Sequence, residues 1–179
     1  TPLYSSAASD VYKRQTGNAG ALALGRCANA SGSTSTAIGR NSTASGAASL
    51  AISGGSPVGN TLASAADGIA IGQNAGATGG GSDGKIAIGK SACATGNRSI
   101  ALGFAAVAAS EGGFSIFGNV NSANDRGIAI GDSSCAAAGG TDGIAFGIQT
   151  CVSGNWAVAL GRCAVATGCL LYTSDAADE

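Results

Sequence analysis

A large residue, an alanine, a second large residue and a glycine recur along most of the chain. The copies include Leu22-Ala23-Leu24-Gly25, Thr36-Ala37-Ile38-Gly39, Ile69-Ala70-Ile71-Gly72, Ile100-Ala101-Leu102-Gly103 and Val158-Ala159-Leu160-Gly161. Looser copies are Leu50-Ala51-Ile52-Ser53 and Phe114-Ser115-Ile116-Phe117. Gly25 and Gly39 lie fourteen residues apart, and a second glycine follows after seven in Gly25/Gly32, Gly89/Gly96 and Gly161/Gly168. A short fixed period marks rungs that cannot bury an apolar face alone and so must stack. Two glycines per unit predict two corners, since glycine adopts positive φ without a Cβ penalty. Each rung then reads strand, turn, strand, turn. A helix is disfavoured, because every glycine in its interior would cost about 1 kcal/mol.

The residues on either side of the central alanine are two apart and share one face of a strand. The pattern alone makes that large apolar pair the core stripe. It would face the small residues of the second half, such as Ala28 and Ala30, Ala75 and Ala77, Ala92 and Ala94, and Ala164 and Ala166. The prediction is an all-β stack of about ten 14-residue rungs, a rod roughly 48 Å long at about 4.8 Å per rung. Spacing also shows insertions between Ser53 and Gly72, Gly72 and Gly89, and Gly131 and Gly147. All three can be placed after the second half-rung, in residues 54–67, 80–85 and 139–142, along one edge of the stack.

Composition supports a stack with a small core: 31 Gly, 2 Pro, 4% aromatic and 11% charged residues. So little large apolar side chain per rung implies further burial by self-association. The absence of histidine excludes Ser-His-Asp and Cys-His catalysis and the commonest zinc ligand sets, so neither an enzyme nor a cofactor is expected. Gly79-Gly80-Gly81-Ser82-Asp83-Gly84 lacks the lysine of a phosphate loop and reads as a connection. Charge is nearly balanced and basic residues do not cluster with aromatics, so no nucleic-acid partner is expected. No apolar run of membrane-spanning length is present, so no membrane contact is expected within this segment.

No Cys-x-x-Cys pair occurs among the 6 cysteines. Cys93, Cys135 and Cys151 lie four residues beyond the first glycine position of their units, and Cys27 and Cys163 lie two beyond theirs. Both positions alternate with the small inward residues and should point outward. Cys135 and Cys151 occupy the same position in successive rungs, close enough in principle for a disulfide. The alternative is service as small apolar residues.

Gly68-Ile69-Ala70-Ile71-Gly72, Ser99-Ile100-Ala101-Leu102-Gly103 and Gly127-Ile128-Ala129-Ile130-Gly131 resemble the Ser-Val-Ala-Ile-Gly repeat of YadA-like heads. These are the head modules of trimeric autotransporter adhesins. The resemblance covers residues 16–168. It implies a left-handed parallel β-roll, a homotrimer, and non-enzymatic display at the bacterial cell surface and outer membrane. Its partners would be an extracellular matrix protein, a glycan or a cell-surface ligand. The collagen-binding form has Asn-Ser before the repeat. Here those places hold Arg98-Ser99, Asp67-Gly68, Arg126-Gly127, Asp142-Gly143 and Trp156-Ala157, which argues against collagen. The cysteines leave room for an alternative, a rigid spacer or receptor-binding segment of a phage tail or virion fibre.

Residues 1–15 and 169–179 share neither period nor composition with the interior and resemble translated sequencing-adapter read-through. They are expected to be non-native tails flanking residues 16–168. The candidate ligand contacts are the basic residues that directly follow the corner glycine, Arg26, Arg40, Lys90 and Arg162, together with the inserted loop around Pro57.

Overall fold

The computed structural model describes residues 20–54, 59–79, 84–137, 139–168 and the backbone of 172–174. Every strand is short and every pairing parallel, and no helix occurs among the described residues. One eleven-stranded sheet collects the large-Ala-large tripeptides: Leu22–Leu24, Thr36–Ile38, Leu50–Ile52, Ile69–Ile71, Ile86–Ile88, Ile100–Leu102, Phe114–Ile116, Ile128–Ile130, Ile144–Phe146, Val158–Leu160 and Tyr172–Ser174. We call it the first sheet. A ten-stranded second sheet collects the other half-rungs: Asn29–Ala30, Ser42–Ala44, Thr61–Ala63, Gly76–Ala77, Cys93–Ala94, Val107–Ala108, Asn121–Ser122, Cys135–Ala136, Cys151–Val152 and Val165–Ala166. Each strand hydrogen-bonds its counterpart one rung on, as in Ala70↔Ala87 and Ala87↔Ala101. The chain is a parallel β-solenoid of ten turns at the expected spacing. Three residues of the segment read as a C-terminal tail, Tyr172–Ser174, continue its ladder on Val158–Leu160; residues 1–15, 169–171 and 175–179 lie outside the described residues.

The core is the reverse of the one expected in the first sheet. Ala37, Ala51, Ala70, Ala87, Ala101, Ala129, Ala145 and Ala159 are fully buried, while the flanking large residues are half-buried or exposed. Alternation fixes which residues share a face, but not which face is inside. The second sheet decides that, because its inward residues are Ala30, Ala44, Ala63, Ala77, Ala94 and Ala108, all fully buried. Corners of only a few residues hold the two sheets so close that alanine meets alanine; two isoleucines per rung would overfill the gap. Ile71, Ile88 and Ile130, taken as core from the pattern, therefore lie on the outer face of the first sheet.

The two glycine columns exist for different reasons. The first adopts positive φ, for example 131° at Gly25 and 132° at Gly89. In the second, Gly79 has φ 107°, but Gly32 and Gly96 lie outside the left-handed region and are needed for close approach, since a Cβ would stand 1.9 Å and 1.8 Å from the carbonyl oxygens of Gly46 and Ser110. Left-handed backbone near the second corner falls instead on other residues, among them Thr34, Ala48, Arg98, Arg126 and Trp156. Serines staple several corners, with Ser35 Oγ donating to the Gly32 carbonyl at 2.8 Å and Ser99 Oγ to that of Gly96 at 2.7 Å. The insertions also differ from expectation. Those after Gly79 and after Ala137 do follow the second half-rung, but the first lies between Leu50–Ile52 and Thr61–Ala63, at the opposite corner.

Candidate binding surfaces

Three surfaces follow from this frame. The broadest is the outer face of the first sheet, where two columns of large side chains run the length of the stack. One begins Leu22, Thr36, Leu50, Ile69 and the other Leu24, Ile38, Ile52, Ile71. Leu22 is 45% exposed, Ile88 39% and Phe146 53%. The outer face of the second sheet instead presents a single mixed column, in which Asn29, Thr43, Gly76 and Asn121 alternate with Leu62, Val107, Val165 and three cysteines. A contiguous apolar stripe of this length marks an interaction surface on a protein whose own core is alanine.

The second surface is the corner after the first sheet, which carries the basic residues singled out from the sequence. Arg26, Lys90 and Arg162 are exposed and Arg40 is half-buried. Arg26 and Arg40 sit on successive rungs, with the Asn41 amide bonding to the Arg26 carbonyl at 3.1 Å. Lys90 and Arg162 stand alone, because the same column holds Phe104, Gly118, Asp132 and Ile148 in the rungs between them. The column is not a continuous positive stripe. Pro57 lies outside the described residues. In the seventh rung the corner glycine is replaced by Phe117, held at φ 86° and exposed beside Phe104 on the sixth rung.

The third surface, at the opposite corner, is one the sequence reading missed. Arg98 pairs with Glu111 one rung on. Arg126 grips Asp142 with two bonds, Nε to Oδ1 at 2.6 Å and Nη2 to Oδ2 at 2.7 Å, and Trp156 Nε1 donates to Asp142 Oδ2 at 3.1 Å. The Arg126 guanidinium, helped by the indole, holds the Asp142 carboxyl below its usual range; the same pairing raises Arg126. A shallow cleft of about 290 Å³ opens between Arg98, Glu111, Gly112, Asp125 and Arg126. Written rung under rung, the sequence shows these opposite charges one repeat apart, so the signal was available.

Two other groups matter less for binding. Lys85 is fully buried, its Nζ donating to Asn97 Oδ1 at 3.3 Å, in the place that Ser35, Ser49 and Ser99 take in other rungs. Cys93, Cys135 and Cys151 are half-buried on the outer face of the second sheet and Cys27 and Cys163 are exposed, all free thiols, as their alternation with the inward alanines requires. Among the described residues no group of three or more His, Cys, Asp or Glu could hold a metal, and no helix is long and apolar enough to cross a membrane.

An alanine-cored parallel solenoid with an uncovered apolar flank defines a fibre-like repeat module. A family model described as the YadA head domain repeat matches residues 18–42, 30–52, 86–106 and 94–114. Residues 18–52 and 86–114 therefore carry YadA-like head repeats, the adhesin-type repeats of trimeric autotransporter adhesins. No curated protein matches the chain.

Proposed function

We propose that this segment is the non-enzymatic head of a trimeric adhesin, displayed at a bacterial surface and attaching it to host or environmental surfaces. The observation that carries the reading is the two-column apolar flank of the first sheet. Covering each half-exposed apolar side chain is worth on the order of 1 kcal/mol, and every rung but the second, which has Thr36, offers two. Three copies facing one axis would bury the flank; the number three comes from the resemblance and the flank from the geometry. Assembly leaves both corners outward, so Arg26, Arg40, Lys90, Arg162 and the Arg98–Asp142 ladder are presented in three copies. Repetition then turns a weak contact into a firm one through effective concentration.

The test is sedimentation of residues 16–168 beside an Ile71→Asp/Ile88→Asp variant, followed by binding to immobilised matrix proteins, glycans and cells. The expected result is a trimer that binds at least one surface and a variant that keeps the β circular-dichroism signal but sediments as a monomer. A stable wild-type monomer at micromolar concentration would sink the reading. A trimer that binds nothing would favour a spacer, as in a virion fibre.

A further inference from the structure

Cys135 and Cys151 are in-register partners on adjacent parallel strands. Both are half-buried on the same outer face, so their side chains leave the sheet in the same direction. Adjacent strands lie about 4.8 Å apart, within the Cα separation of about 4.4 to 6.8 Å that disulfides span. The pair is isolated. Its column continues into Asn121 on one side and Val165 on the other, and Cys93 is three rungs away beyond Val107.

We propose that Cys135 and Cys151 are a disulfide-forming site that clamps the eighth rung to the ninth when the chain meets an external disulfide oxidant. One thiolate attacks a sulfur of the oxidant's disulfide and expels the first of its two thiols. The second cysteine, deprotonated, attacks the protein-bound sulfur and expels the other. The two protein thiols lose two protons and two electrons and become one S–S bond; the oxidant's disulfide is reduced to two thiols. The clamp closes the loop that contains the two-residue insertion, next to Asn124, whose amide nitrogen and oxygen are buried without a hydrogen-bond partner among the described residues. It thus reinforces the stack where its interior is least satisfied. Burial raises the pKa of the Cys135 thiol, so oxidation should accelerate as pH rises.

The protein itself provides the readout. After Arg126 and Arg162, trypsin releases residues 127–162, which contain these two cysteines and no other. The full chain is equilibrated with oxidised glutathione, denatured with an alkylating agent and digested. The expected peptide is unalkylated, lacks two hydrogens and gains two alkyl groups only after reduction, while Cys93 is alkylated throughout. Oxidation should raise the thermal midpoint by about 5–10 °C, a shift absent from Cys151→Ser. A 127–162 peptide that stays fully alkylatable, is capped by glutathione, or is joined to a second copy overturns the proposal.

Discussion

In the first six rungs the two facing inward columns are alanine at every level, from Ala23 and Ala30 to Ala101 and Ala108, and they form one continuous buried cluster. The seventh rung stands on the same ladder with none of these features. Its inward pair is Ser115 and Ser122, its corner glycines are replaced by Phe117 and Asn124, and the buried cluster breaks there. The ladder survives because backbone pairing does not depend on what fills the gap. Ser115 Oγ donates to the Val107 carbonyl and Ser122 Oγ to that of Gly127, each at 2.7 Å. A polar filling must be hydrogen-bonded, and the Asn124 side chain is not.

Enlarging the alanine interior should have the largest effect. Ala101→Leu, in the sixth rung, is expected to cost about 2–3 kcal/mol in urea denaturation, since both neighbouring strands are fixed by the ladder. Ser115→Ala, one rung on, should change stability by about 1 kcal/mol or less. Comparable losses would mean that the Ser115 hydrogen bond matters to its rung as much as small volume does to the sixth. An intermediate effect of opposite sign is expected from Asn124→Gly, which restores the residue found in that column at Gly96 and Gly154 and removes two unsatisfied groups. A gain of about 1–2 kcal/mol is the expected outcome; a loss would show that Asn124 has a role beyond filling.

The smallest effect concerns the charged corner of the seventh to ninth rungs. Because the folded pKa of Asp142 lies below its unfolded value, its contribution is complete above the ordinary carboxylate pKa and fades as pH falls through the lower folded value. The side chains are exposed, so the effect on stability is slight. Trp156, the single tryptophan, should report it as a fluorescence change centred below the usual aspartate range and absent from Asp142→Asn.

The period, the parallel stacking and the outward cysteines were legible because glycine marks every rung and strands alternate strictly. The choice of inner face was not, since Ile69-Ala70-Ile71 is apolar at all three places and parity carries no sign. The deciding clue was volume: Ala30, Ala44 and Ala63 opposite leave room only for another alanine. The first insertion was misplaced because Thr61–Ala63 lacks the glycine that marks other half-rungs. The spread of Arg26, Arg40, Lys90 and Arg162 was readable from their rung numbers; Lys85 gave no sign of being buried.

The corner after the first sheet turns on a left-handed residue that is Cys27, Asn41, Asn74, Ser91, Ala105, Ser133 or Gln149 in different rungs. What fixes it is the main chain, through bonds such as Ser91 N–H to the Gln73 carbonyl at 2.9 Å and Ala105 N–H to that of Lys90 at 2.9 Å. One side-chain bond there, Cys163 Sγ donating to Gln149 Oε1 at 3.4 Å, joins two residues of the corner to each other. That edge can therefore change residue by residue while the alanines behind it stay as they are.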